Sequence, residues 1–268
     1  MISTRLSHTV FGMPKQLTVI GFEGFPLVKV GDDIGGMIVE LAEKQGLSIE
    51  GGDIVVVAQK IVSKAEGRVV SLRNVRLSDK AEELAQSTLR DARLIELVLM
   101  EAKRILKASV TALIVETKEG LVCLNAGIDK SNVPGEDSYA LLPEDADKSA
   151  EKIRNRIQEL TKKRLAVIVC DTQSRPFRRG QVELAIGVAG IKPFKDYRGQ
   201  KDLFRYTLRF KNVAVADEIA SAAELVLGQG AEGVPVAIVR GIEGVERSEK
   251  SRSSELIMSE EDMFRGVI

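Results

Sequence analysis

A mixed α/β (α+β) fold, rather than a regular doubly wound sheet, is what these 268 residues predict. Three observations carry that expectation. Apolar runs of strand length (Asp53 to Ala58, Leu165 to Cys170, Val236 to Val239) sit among segments whose apolar residues recur every three or four positions. The two kinds of segment alternate irregularly. Two further runs, Val110 to Glu116 and Leu121 to Leu124, are joined by Lys-Glu-Gly, which reads as an antiparallel hairpin and breaks any βαβ rhythm.

Taken in order, Leu17 to Gly21 reads as a strand and Glu23 to Val30 as a loop. From Asp33 to Gln45, Ile34, Met37, Ile38 and Leu41 share a helical face, and Gly46 is placed to end it. The strand Asp53 to Ala58 leads into QKIVSKAEGR, read as a polar connection rich in cations (Lys60, Lys64, Arg68). Helices are predicted after Ser78 and near Asp91; in the second, Leu94, Ile95, Val98, Ala102 and Ile105 fall on one side. The hairpin then delivers the chain to a polar loop, NAGIDKSNV, at Asn125 to Val133. Asp147 to Leu160 is helical by Ala150, Ile153, Ile157 and Leu160. The run Leu165 to Cys170 is expected to stop at Asp171 and Thr172, with a long polar, Gly-rich connection from there to about Lys211. A helix near Val215 to Leu227, the loop GQGAEGVP and the strand Val236 to Val239 follow. There is no repeat, low-complexity stretch or clear linker.

Composition excludes several chemistries. With 39 basic and 39 acidic side chains there is no general excess of charge for a nucleic acid, so no nucleic-acid partner is expected. One histidine and two cysteines cannot build an ordinary zinc site. A Ser-His-Asp or Cys-His mechanism would need His8, ahead of the first strand. Cys123 and Cys170 lie in apolar runs and read as core thiols of a cytoplasmic protein. No run approaches the roughly 18 apolar residues of a membrane span, so no membrane partner is expected either.

Gly228 to Gly233 matches the dinucleotide fingerprint G-x-G-x-x-G literally. That fingerprint needs a strand before it and a helix after it, and here the order is reversed, so the Rossmann reading fails. The glycines could still present backbone N–H groups to phosphate. No G-x-x-x-x-G-K-[ST] sequence occurs, which excludes a P-loop. Asp129 with Asn132, and Asp171 with Thr172, each read alone as turn or strand-end residues. Together they offer the oxygen ligands that magnesium or manganese prefers. Lys60, Lys64 and the cluster Arg175, Arg178 and Arg179 offer charge for an anion.

At this point longer blocks can be compared: GFPLVKVGDD, GGDIVVVAQKIVSKAEGR, NAGIDKSNV, LLPEDADKSAEKIR, VIVCDTQSRPFRRGQVELAIGVAGI, VAVADEIASAAELV and GQGAEGVPVAIVRG. In this order they resemble the coenzyme F-420-0:L-glutamate ligases, through most of the chain. The resemblance implies a GTP-dependent ligase that adds L-glutamate to F-420-0, and then a second, gamma-linked glutamate. It also implies two divalent ions (Mg2+ or Mn2+), K+ and an interlocked homodimer. The whole of 1–268 would be a single catalytic unit of two interleaved subdomains with the active site between them, without the oxidoreductase-like C-terminal domain some members carry.

Carried over by position, the resemblance makes Asp129, Asp171 and Lys64 catalytic. It gives the metals Asp129, Asp171, Thr172 and Gln229. It gives GTP the segment Phe25, Pro26, Leu27 and Val28, then Gln59, Lys60, Lys64 and Asn132, and the loop Leu227, Gly228, Gln229, Gly230, Ala231, Glu232, Gly233 and Val234. Two positions depart from the family pattern: Gln229 stands where a family member has Glu, and Ser174 where Gly is frequent. Two other readings stay open on the residues alone, a ligase for another carboxylate metabolite and a non-catalytic GTP-binding homologue.

Overall fold

The computed structural model describes residues 15–258, so His8 lies outside the described residues. In chain order they form β1 (Thr18–Gly21), α1 (Ile34–Lys44), β2 (Ile54–Ala58), α2 (Gln59–Ala65), β3 (Val69–Ser71), α3 (Asp79–Thr88) and α4 (Ala92–Glu101). There follow β4 (Ala102–Ala108), β5 (Leu113–Thr117), β6 (Val122–Leu124), β7 (Ser138–Ala140), α5 (Ala146–Thr161), β8 (Ala166–Ser174) and β9 (Gln181–Ile191). Last come β10 (Lys195–Asp196), β11 (Asn212–Val213), α6 (Val215–Leu227), β12 (Val236–Arg240) and β13 (Arg247–Ser248).

β2 shows why the centre forms. Val55 and Val57 join the core on one side of the sheet, Ile54 and Val56 the core on the other, and all are buried. A strand covered on both faces must be apolar throughout, which is why IVVVA carries no alternation. It pairs in parallel with β8 and antiparallel with β12. The sheet has six strands in the order β1-β12-β2-β8-β9-β13, and the β2–β8 pair is its parallel member. Helices α1 and α5 cover one face and α6 the other. A further apolar cluster gathers α3, α4 and the three-stranded sheet β4-β5-β6, with Leu97, Val98, Leu113 and Val115 at its centre. The mixed architecture is therefore as the sequence implies.

Helix starts follow their caps. Asp33, Ser78, Asp91 and Asp145 each accept a backbone N–H from the first turn of α1, α3, α4 and α5. At the other end of α1, Gly46 takes a positive φ of 65° and ends the helix as expected. Gly187 of β9 has a different task. A Cβ there would run into the backbone of Ala146, so only glycine lets α5 cross the sheet this closely.

Four expectations need correction. The stretch after Ala58 is not a connection: it forms α2, with Gln59, Ile61, Val62 and Ser63 buried. α4 ends at Glu101, and Ala102 and Ile105 belong to β4; they pack against the same cluster as Leu94, Ile95 and Val98, so the periodicity reflected a shared core rather than one helix. β8 does not stop at Cys170 but runs through Asp171 and Thr172 to Ser174. The long connection up to Lys211 contains β9, an 11-residue strand paired with β8. Ser174 ends β8 without the positive φ that would call for glycine, so its side chain is no obstacle to the path of the chain.

Candidate active site

Because β2 and β8 are parallel and in register at Ala58 and Cys170, their C-terminal ends reach the same edge of the sheet. Such an edge is where α/β sheets usually place ligands. Beyond Ala58 the chain turns directly into α2; beyond Cys170 it continues as strand, carrying Asp171 and Thr172. The loop after β1 (25–28), the loop before β7 (125–132) and the Gly-rich loop between α6 and β12 close the other sides. They enclose a cavity of about 590 Å³.

The residues singled out from sequence converge here. Asp129, Asp171, Thr172, Gln59, Lys60, Lys64, Asn132, the segment 25–28 and the Gly-rich residues Leu227, Gly228, Gln229, Gly230, Glu232, Gly233 and Val234 all line the cavity. Ala231 does not, and neither do Arg175, Arg178 and Arg179. The arginines sit in the turn joining β8 to β9, where Arg175 bonds the Arg179 carbonyl at 3.3 Å, so their expected role beside the anion is not met by their position. The cavity's cations are the two lysines. They lie four residues apart on α2, which puts both on one helical face.

Each lysine ties the 129–132 loop to α2. Lys60 lies 2.6 Å from Asp129 Oδ2 and also donates to the Ser131 hydroxyl. Lys64 Nζ donates to the Asn132 carbonyl at 2.7 Å, and the Asn132 amide donates to the Gly230 carbonyl at 3.0 Å. Asn132 adopts a φ of 55°, a left-handed conformation that Asn tolerates. The loop thus bridges α2 and the Gly-rich loop across the cavity mouth. Burial, and then its neighbour Lys60, lower the pKa of Lys64. Burial would raise Asp129, but the hydrogen bonds from Lys60 and Ser131 outweigh it and leave that carboxyl below its usual range.

Asp171 behaves oppositely. Burial, reinforced by the neighbouring Glu183, pushes it up to about 7. Glu183 was not singled out from sequence. It sits on β9 opposite Thr172, lines the same cavity, and is raised chiefly by burial. A lone carboxylate within the apolar run VELAIGVAGI was the signal, obscured because that run was read as connection. Lys60 is the cation whose field reaches Asp129, Asp171 and Glu183 alike.

The donors suit an oxygen-ligated cation. Asp171 and Glu183, buried carboxylates beside an ammonium already paired with Asp129, are short of positive charge, which a hard divalent ion supplies. No three His, Cys, Asp or Glu side chains converge on one point among the described residues. Such an ion would therefore complete its shell from Thr172, Gln229, waters and a ligand's own oxygens.

The profile of the F420-0:Gamma-glutamyl ligase family matches residues 24–241, which spans every cavity segment described above. The chain belongs to that family. Among curated F420 ligases it is 46% identical to the coenzyme F420:L-glutamate ligase of Methanothermobacter thermautotrophicus over 252 residues, covering 93% of this chain and 99% of the relative. The ligase of the same name from Methanocaldococcus jannaschii is 43% identical, with 94% and 98% covered. That of Methanopyrus kandleri is 42% identical, with 93% and 99% covered. As in any protein of this γ-glutamyl ligase family, the question for the cavity is how it serves amide synthesis. No helix among the described residues is long and apolar enough to cross a membrane.

Proposed function

We propose that this protein is a GTP-dependent ligase that joins L-glutamate to the lactyl carboxylate of coenzyme F420-0, and then adds a second glutamate through a gamma linkage. The observation that carries the reading is the convergence of Lys60, Lys64, the carboxylates Asp129, Asp171 and Glu183 and a Gly-rich loop on one cavity inside the family-matched region.

The chemistry sets the requirements. A carboxylate does not accept an amine in water, because oxide is a poor leaving group and the anion repels nucleophiles. Attack of the carboxylate on the γ-phosphate of GTP gives GDP and an acyl phosphate; the glutamate amine then displaces phosphate. Phosphoryl transfer asks the protein mainly for positioning and charge neutralisation. Lys60 and Lys64 offset phosphate charge, the backbone of Gly228 to Val234 follows the nucleotide, and Phe25 to Val28, Gln59 and Asn132 complete its pocket. Asp129 and Asp171 would hold one Mg2+ or Mn2+, Thr172 and Gln229 a second, and K+ would be the monovalent cofactor. Bound divalent ions supply charge stabilisation at the phosphate oxygens. None of these roles needs an imidazole.

A homodimer, with 1–268 acting as one cytoplasmic catalytic unit of two interleaved subdomains, belongs to the same proposal. The ribbon of β10 and β11 supports it: Leu203 and Phe204 at its tip and Phe210 nearer its base are 97%, 90% and 90% exposed. Three large apolar side chains held out on a two-stranded arm fit burial against a second copy. Sedimentation should give a dimer, and Phe204→Ser with Phe210→Ser should shift it to monomer; a monomeric parent protein would contradict this.

The function is tested by incubating protein with F420-0, L-glutamate, GTP, Mn2+ and K+ and weighing the products. Addition of one or two glutamyl units with matching GDP is expected. Intact GTP and no mass gain would refute it.

A further inference from the structure

Three oxygens crowd the corner where the Gly-rich loop meets β8 and β9. Thr172 Oγ1 lies 2.8 Å from Glu183 Oε2 and 3.0 Å from Gln229 Oε1. A hydroxyl has one proton to give, so with Glu183 ionised it satisfies one of these acceptors and faces the other without a proton between them. Turning the Gln229 amide over does not solve this. Its oxygen would then sit where the amide nitrogen now is, 3.5 Å from Glu183 Oε2, and face that carboxylate.

Charge points the same way. Glu183 is only 4% exposed; the Cys170 thiol and the Thr172 hydroxyl are its neutral partners, Glu224 and Asp171 add negative charge, and no cation among the described residues forms an ion pair with it. Lys60, whose field reaches it, spends its ion pair on Asp129. The charged form of a carboxylate buried in that environment is costly, and a counter-ion relieves it. Thr172 and Gln229 are neutral donors, so of the three converging side chains only Glu183 brings charge. All three line the cavity. A cluster of three side-chain oxygens that carries one ionisable carboxyl and opens to a ligand cavity has the donor chemistry of a hard cation site.

We propose that Glu183 is the charged ligand of a divalent-cation site that it shares with Thr172 and Gln229. This rests on the two-ion ligase reading and adds to it the residue that makes the second ion's site anionic. β9 holds Glu183 opposite Thr172 by strand register, so both donors are fixed by the sheet and only Gln229 comes from a loop. The ion would thereby tie the Gly-rich loop to the sheet.

The test is a Mn2+ titration of the purified protein with a non-hydrolysable GTP analogue, following free Mn2+ by electron paramagnetic resonance. Two ions per chain are expected for the parent protein. Glu183→Gln should retain one and weaken the other at least tenfold, and the double variant Glu183→Gln with Gln229→Glu should regain it, because the charge has only moved across the site. Without metal, Glu183→Gln should melt no lower than the parent, while its Mn2+-induced rise in melting temperature shrinks. Two ions bound by folded Glu183→Gln with parental affinity would overturn the assignment, as would a double variant that regains nothing. Should Glu183→Gln fail to fold, Glu183→Asp keeps the charge but draws it back, and a second-ion affinity unchanged from the parent would equally overturn it. A parent protein that binds neither Mn2+ nor the analogue would instead sink the ligase reading.

Discussion

Asp129 and Asp171 face the same cavity and are held in opposite ways. Asp129 is half-exposed, lies 2.6 Å from Lys60 and accepts from the Ser131 N–H and hydroxyl, so its charged form is favoured. Asp171 is buried on a strand, has Gln173 as its close donor at 2.5 Å, and has Glu183 as a neighbour, so its charged form is disfavoured. One side of the site is electrostatically complete without a ligand; the other is not. Residue type therefore says little about a carboxylate's state until its neighbours are known, and the incomplete side is where an incoming cation gains most.

The largest expected effect tests whether both sides serve one reaction. Asp129→Asn and Asp171→Asn should each lower kcat by roughly a thousandfold or more, as loss of a group that organises charge in phosphoryl transfer does. Near-parental turnover in either would remove that aspartate from the site. Their metal-free stabilities should separate them. Asp171→Asn removes a buried, poorly compensated charge and should raise the melting temperature by about 3 °C, on the order of 1 kcal/mol for a chain of this size. Asp129→Asn breaks a half-exposed ion pair and should lower stability by about 0–1 kcal/mol. Equal shifts in calorimetry would erase the contrast.

A smaller effect should come from the scaffold of the buried side. Gly187→Ala forces α5 off β9, and overpacking of this kind costs about 1–3 kcal/mol. Denaturant unfolding should show it, with nucleotide binding weakened only as far as β9 shifts. The smallest effect belongs to the loop side. Asn132→Ala loses the bond to the Gly230 carbonyl. It should raise KM for GTP several-fold with kcat nearly unchanged, in keeping with about 1 kcal/mol for one neutral hydrogen bond. A loss in kcat alone would mean that the bridge acts on chemistry and not on binding.

The same contrast explains what could be read from sequence. α1, α5 and α6 show apolar residues at three- and four-residue spacing because each packs one face on the sheet, and Asp33, Ser78 and Asp91 mark three helix starts. Strand β2 was legible because both its faces are core. The elements that build the cavity were harder. α2 hides its apolar residues Ile61 and Val62 among Lys60, Ser63 and Lys64, since its other face serves the site. β8 turns polar after Cys170 because Asp171 and Thr172 line the cavity, so a strand looked like its own end. β9 was lost because its apolar run VELAIGVAGI follows RPFRRG and was read with that connection, and Glu183 was lost with it. Lys60 and Asp171 meet because the parallel pairing of β2 with β8 brings both strand ends to one sheet edge, and such pairing leaves no local trace in sequence.

The most direct test of the account follows oxygen. F420-0 labelled with ¹⁸O in its lactyl carboxylate is supplied with GTP and L-glutamate, and the released phosphate is weighed. If the carboxylate is activated by phosphoryl transfer in this cavity, phosphate carries one ¹⁸O for each first glutamate added, and the Asp171→Asn variant produces none. Glutamylated product accompanied by unlabelled phosphate would contradict it.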